Sequence, residues 1–390
     1  ASGVAAAALN SSLTPAERRV VYGDLDAGRC RLLYVTPERL VGEGGEEFRA
    51  RLRGWGVRFV AVDEAHCISQ WGHEFRPEFR RLGRLRDDFP ELSIHAFTAT
   101  ATRQVRDDIA TQLALRDPEV LVGSFDRPNL VYRVLARTGL KDQIRRVLER
   151  HQGEAGIIYC VSRREVEKLA GWLDGLGHRA LPYHAGLPDE MRRRHQEAFL
   201  EERADVMVAT VAFGMGIDRS NIRYVIHAGA PRSLEHYQQE SGRAGRDGLE
   251  AECVLLYSGG DFAKWRQMLE QSGELSENAR RLLRDMERYA AGTRCRHRVL
   301  LEYFGQTDER SACDACDWCL KELERVDDAV TLAQKILSTV VRVGQSWGVG
   351  HVIDVLRGRT TDRVTVRRHQ ELSTFGLLAD VPIAELRGYV

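Results

Sequence analysis

The sequence predicts an α/β protein with parallel sheets over residues 1–258, followed by a smaller helical part. Three observations carry this. Eight short apolar runs read as strands: RLLYV (31–35), RFVAV (58–62), SIHAF (93–97), GIIYC (156–160), RALPY (179–183), DVMVA (205–209), RYVIHA (223–228) and AECVLLY (251–257). Several are β-branched and apolar on both faces, as strands inside a parallel sheet are. Helix-start signals fall between the runs. Thr14-Pro15-Ala16-Glu17 is a capping box with Pro at the first helical position, and Ser162-Arg163-Arg164-Glu165 is a second capping box. After residue 258 the strand pattern stops, and residues 261–343 are mostly amphipathic helix. Strands alternating with helices place ligands at the carboxyl ends of the strands.

The 390 residues suffice for two or three domains with cores of their own. A hydrophobic content of 43% with 29% charged residues is ordinary for a soluble protein. No apolar run approaches the roughly 20 residues that span a bilayer. Formal net charge is zero, so any polyanion site must come from local clustering. Only five of the 57 Lys plus Arg are Lys, a bias that reads as codon usage and not as a nucleic-acid signal. The opening ASGVAAAALNSS lacks an initiator Met and a basic region, and is read as the cut end of a longer chain. A break at LARTGLK (135–141) separates a first lobe, 1–137, from a second, 138–258. A helical segment, 259–325, carries the cysteine cluster; a last domain is placed at 326–390, of which residues 344–390 are short Gly- and Arg-containing pieces.

The first strand of chemical interest ends in Asp63-Glu64. There the first acid can hold Mg²⁺ and the second can polarise an attacking water. Taken alone, the pair also suits a helix N-cap and a first-turn acid. Ser241-Gly242-Arg243-Ala244-Gly245-Arg246 sets two arginines three apart on one helix face or turn, among small residues that let a phosphate approach. A solvated arginine pair is the plain alternative. Thr98 and Thr100 follow one strand, and Thr210 opens a Gly-rich loop that ends in Asp218; hydroxyls and loop amides suit single-strand phosphates.

The set and its order decide. DEAH at 63–66, TAT at 98–100, the Thr210-to-Asp218 loop and QQESGRAGRDG at 238–248 resemble the motifs of superfamily 2 helicases. More narrowly the chain resembles the RecQ family. LLYVTPERL (32–40), DEAHCISQWGHEFRPEF (63–79), IIYCVSRREVE (157–167), YHAGL (183–187), ATVAFGMGID (209–218) and YQQESGRAGRDG (237–248) carry that pattern. The likeness runs from GVAAAALNS at residue 3 to RVGQSWGVGHVIDVLRG (342–358).

The resemblance implies two RecA-like lobes, a zinc-binding domain and a partial winged helix. It implies an ATP-dependent 3′–5′ DNA helicase of recombination and repair, acting on single-stranded and duplex DNA in the bacterial cytoplasm. It assigns Mg²⁺ to Asp63, the attacking water to Glu64, and nucleotide contacts to Arg243 and Arg246, with Arg246 as the finger. His66, Asp218 and Gln239 couple the cleft. Trp71, His73, Phe75 and Arg76 form the aromatic-rich loop that senses DNA, where bases stack on aromatic and guanidinium planes, while Phe79 also suits simple packing. Thr98 and Thr210 meet the strand. On this reading His66 and His73 are not metal ligands.

Cys313-x-x-Cys316-x-x-Cys319, with Cys295 upstream, suits tetrahedral Zn²⁺. An iron–sulfur cluster is the rival, but the following cysteine and proline of a ferredoxin run are absent. The resemblance also favours structural zinc. His297 is expected on the surface, and Cys30, Cys67, Cys160 and Cys253 as small packed hydrophobes. No G-x-x-x-x-G-K-[ST] occurs; the resemblance puts that phosphate loop before residue 3, so the chain alone is expected to be inactive. Taken by itself, the chain has a second reading, a non-catalytic zinc-stabilised DNA-binding protein; an RNA helicase is a third.

Overall fold

The computed structural model describes residues 3–10, 13–214, 217–323 and 328–389. They divide into two compact units, Ala1–Phe125 with Leu300–Thr307, and Asp126–Val299 with Asp308–Val390.

In the first unit β1 (Ala6–Leu9) pairs in parallel with β2 (Leu32–Val35), and β3 (Phe59–Val62) with β4 (Ser93–Ala96). The helix Pro15–Asp26 starts at the expected capping box: the Thr14 N–H donates to Glu17 Oε2 at 2.8 Å, and the Glu17 N–H donates back to Thr14 Oγ1. Such a cap contributes about 1 kcal/mol. The core gathers Leu9, Phe48, Val62, Ile68, Leu85 and Leu113, and Phe79 packs into it. Phe125 stacks on Phe304 with ring centroids 4.3 Å apart.

The second unit is built on six parallel strands: β5 (Leu130–Ala136), β6 (Ala155–Tyr159), β7 (Ala180–Tyr183), β8 (Val206–Ala209), β9 (Ile222–His227) and β10 (Ala251–Tyr257). Their order is β5-β10-β9-β6-β8-β7. β6, β8 and β9 are buried along their whole length, which is why β6 and β8 are apolar on both faces, while β9 also buries Arg223 and His227. A side chain at Gly156 would collide with the Tyr224 ring, its Cβ lying 1.9 Å away. The capping box at Ser162 is also present.

All eight expected strands form. Two further strands were not legible. β1 is AAAL, small residues of low strand preference. β5 carries Arg133 in its middle and lies on the first-lobe side of the boundary placed at 137, yet it pairs with β10 from Leu130 to Ala136. The sheet of the second lobe therefore begins before residue 138.

Beyond the sheet run the helices Gly259–Gln271, Glu277–Ala291 and Arg296–Tyr303. The helices Ala329–Arg342, Val349–Leu356, Asp362–Val366 and Ile383–Tyr389 then share a separate core of Ile336, Val352, Val355, Leu356, Val364 and Leu386. No strand occurs among the described residues after 328. Val326, where the last domain was expected to start, lies outside the described residues, as do Met215 and Gly216 of the Gly-rich loop and Ser11 of GVAAAALNS. Among the described residues no helix is long and apolar enough to cross a membrane.

Candidate functional site

Asp63 and Glu64 leave the carboxyl end of β3. The pairing of β3 with β4 continues past both strands: the Phe97 N–H donates to Val62 O and the Ala65 N–H to Phe97 O. This ladder sets the acids beside Thr98. Glu64 has φ 48°, a left-handed conformation that costs a non-glycine residue on the order of 1 kcal/mol and recurs at functional sites. Its N–H donates to Asp63 Oδ1 at 2.8 Å. His66 is buried. Its Nδ1 lies 3.3 Å from Glu64 Oε2 and 3.1 Å from Thr98 Oγ1, and its Nε2 lies 3.7 Å from Cys67 Sγ. Burial works against charge on the imidazole, but the Cys67 thiol and the Glu64 carboxylate outweigh it and raise His66 to about 9.

The loop that follows divides by direction. Trp71 is 48% exposed, Arg76 is exposed and Phe75 half-buried. His73 is different: it is buried and stacks on His66, with centroids 4.3 Å apart and planes 12° apart. The Arg76 N–H donates to Cys67 O at 2.9 Å, closing the loop on the strand end. Thus Asp63, Glu64, His66, Thr98 and residues 71–76 form one connected patch of the first unit.

The remaining expected residues lie in the second unit. Thr210 is half-buried at the end of β8; its N–H donates to Tyr183 O, and its own carbonyl accepts from Phe213. Gln239 is half-buried on the helix Leu234–Ser241. Arg246 Nη1 donates to Ile217 O at 2.8 Å and to Asp218 Oδ1 at 3.2 Å. Arg243 and Arg246 do not share a helix face, because the helix ends at Ser241 and Gly245, at φ 55°, turns the chain between them. Arg243 is 6% exposed, and its Nε is buried without a hydrogen-bond partner among the described residues. A methyl on Gly214 would stand 3.3 Å from Arg243 Nη2.

The four expected cysteines come together. The sulfurs of Cys295, Cys313, Cys316 and Cys319 all lie within 4.8 Å of one another. Tetrahedral zinc with bonds of about 2.3 Å sets sulfurs about 3.8 Å apart, a spacing inside that limit, so the donor set suits one ion. The Ala315 N–H donates to Cys313 Sγ and the Cys319 N–H to Cys316 Sγ, each at 3.4 Å. Contact with Cys313, then Cys316, pulls Cys295 down to about 3, while Cys295 drives the Cys313 thiol up. Thiolate is the form zinc takes.

Residues 3–108 match the DEAD/DEAH box helicase family, 139–248 the helicase conserved C-terminal domain, 259–320 the RecQ zinc-binding family and 324–390 the RQC domain. An ATP-dependent DNA helicase RecQ of Pasteurella multocida is 43% identical over 382 residues, 97% of this chain and 60% of the relative. One of Bacillus subtilis is 40% identical over 392 residues, 100% of this chain and 66% of the relative. The chain belongs to the RecQ family of helicases. It spans 60–66% of the length of these relatives. The structure of Mycobacterium smegmatis helicase Lhr bound to ssDNA and AMP-PNP superposes with TM-score 0.52 at 22% identity, over 70% of this chain and 37% of that one, a likeness of fold.

The match to the RecQ zinc-binding family and the Cys₄ geometry identify a zinc site. Its surroundings correct one expectation: His297 is 2% exposed, not a surface residue. Its Nδ1 lies 2.9 Å from Asp126 Oδ1 and its Nε2 3.0 Å from Leu130 O, so it ties the cysteine segment to β5. Residues that the motifs did not flag hold the arginine turn. Arg127 Nη2 donates to Ala244 O and Gly245 O at 3.1 and 2.9 Å, and Asn129 Nδ2 to Gly245 O at 2.9 Å. The only sequence signal was the polar run Asp126-Arg127-Pro128-Asn129 placed just before a strand.

Proposed function

We propose that the chain is the motor portion of an ATP-dependent DNA helicase that moves 3′ to 5′ on single-stranded DNA and opens duplexes in recombination and repair, in the bacterial cytoplasm. The observation that carries this is the connected patch Asp63–Glu64–His66–Thr98, which joins two acids at a strand end to the exposed Trp71 and Arg76. Mg²⁺, held through Asp63, would neutralise charge developing on the phosphates. Glu64 orients the attacking water. Arg243 and Arg246 stabilise the γ-phosphoryl group, Arg246 acting as the finger. The Asp218 carboxylate that pairs with Arg246 is 94% exposed, so that ion pair is weak and gives way readily to a phosphate. Gln239 and Asp218 couple the nucleotide to motion. Trp71, Phe75 and Arg76 meet DNA bases, with Thr98 and Thr210 on the phosphates. His73, stacked beneath, transmits loop position to His66.

The test is ATP hydrolysis, with and without single-stranded DNA, in the protein expressed from its native start. We expect DNA to raise turnover, and Glu64→Gln to lower it at least 100-fold while ATP binding persists. Undiminished turnover in Glu64→Gln would remove Glu64 from its role.

A further inference from the structure

Cys67 and Glu74 take no part in the scheme above, yet they meet His66. Nε2 or Nδ1 of His66, Sγ of Cys67 and a carboxylate oxygen of Glu74 lie within 4.8 Å of one another. We propose that these three residues form a second metal site, for Zn²⁺ or a similar borderline-soft divalent ion, separate from the four cysteines.

Four observations support it. The His66 Nε2 to Cys67 Sγ distance is 3.7 Å. Zinc with bonds of about 2.0–2.1 Å to nitrogen and 2.3 Å to sulfur sets those atoms about 3.5–3.6 Å apart, so the pair is spaced for one ion. The other ring nitrogen, Nδ1, is held by Thr98 Oγ1 at 3.1 Å with Glu64 Oε2 at 3.3 Å. Metal-bound histidines characteristically have such a hydroxyl or carboxylate on the second nitrogen, which fixes the ring. The backbone is also set in advance: residues Ala65–Ile68 form one short 3₁₀ turn, and the Arg76 N–H to Cys67 O bond brings the Glu74 segment back to it. Finally, exposure is graded. His66 and Cys67 are 1% and 2% exposed, whereas the Glu74 side chain is 28% exposed, leaving a side by which an ion can enter.

A mixed sulfur, nitrogen and oxygen set suits Zn²⁺ or Co²⁺ and disfavours Mg²⁺. One consequence rests on the helicase reading. Glu74 lies inside the 71–76 loop and His66 beside the acids, so a bound ion pins the loop to them and acts as a brake on DNA-stimulated turnover. The site itself needs no such reading.

The test is metal binding by the 390-residue chain at pH 8, read without ATP. With the four-cysteine site filled by zinc, added Co²⁺ should produce a thiolate-to-cobalt absorption band, and saturating Zn²⁺ should give two equivalents per chain. Cys67→Ala should abolish the band and leave one equivalent. Glu74→Gln should weaken binding at least tenfold, and Thr98→Val by about 10–100-fold. Cys30→Ala should keep the band. Absence of the band in the unmodified chain, or a band unchanged in Cys67→Ala and Glu74→Gln, would overturn the proposal. Glu74→Gln, at a part-exposed position, decides the matter should Cys67→Ala not fold.

Discussion

Glu252 shows what a single residue can hold. It sits on β10, 4% exposed, among Arg133 at 3.1 Å, Arg150 at 2.6 Å and His151 at 2.9 Å. Burial would raise its carboxyl, but hydrogen bonds from His151 and Arg150 outweigh this and lower it from 4.5 to about 2. A depressed carboxyl stabilises the fold fully above its unfolded value and loses that contribution as pH falls from about 4.5 towards 2. The shift corresponds to about 3 kcal/mol. His151 is raised from 6.5, held by Glu252 and Glu154 against the opposing effect of burial. Its contribution is full below 6.5 and fades as pH rises through the folded value. The cluster is thus strongest between about 4.5 and 6.5. Glu252→Gln should lower stability by about 3 kcal/mol near pH 6, with a smaller deficit at pH 3, in urea unfolding followed at both pH values; an equal deficit at both would discount the charge. Gly245→Ala, whose methyl would meet Asn129 Nδ2 at 2.5 Å and Leu249 O at 2.7 Å at φ 55°, should cost about 1–3 kcal/mol by the same measurement. At this scale the acids and arginines were legible because their order along the chain is distinctive. Arg127, Asn129 and the burial of His297 were not, since each acts on backbone 18 to 167 residues away.

The strand β5 and the cysteine loop act as one element. The Tyr132 N–H donates to Ala315 O and the Asp317 N–H to Tyr132 O, so the loop between Cys313 and Cys319 adds a rung to the open edge of the six-stranded sheet. Asp317 pairs with Arg296 at 2.8 Å, both almost fully buried, and its Oδ2 accepts the Val134 N–H at 2.9 Å. Leaving Arg296 without its carboxylate exposes the cost of a buried unpaired charge, about 3–5 kcal/mol. Asp317→Ala should therefore lower the Tm of the second unit by several degrees even with zinc present. Cys316→Ser should remove the zinc of this site and lower Tm further, as read by elemental analysis with thermal unfolding; full zinc retention in Cys316→Ser would contradict the Cys₄ assignment. The sequence showed the cysteine spacing plainly. It hid β5, because Arg133 interrupts the apolar pattern; its charge is met by Glu252 and Glu322, and Glu322 lies 189 residues away.

At the scale of the whole chain, zero formal charge means that the proposed affinity for DNA must come from local arginines and exposed rings rather than from bulk attraction. The parallel strands and their helices could be read from periodicity, and the family from the order of its motifs. Periodicity does not report which edge of a sheet a later segment covers. The most direct test of the proposed function is strand separation by the intact protein, with ATP and Mg²⁺, on DNA duplexes carrying a 3′ or a 5′ single-stranded tail and on an RNA duplex. We expect opening of the 3′-tailed DNA alone, lost in Glu64→Gln. Opening of the RNA duplex at equal rate, or of DNA by Glu64→Gln, would contradict it.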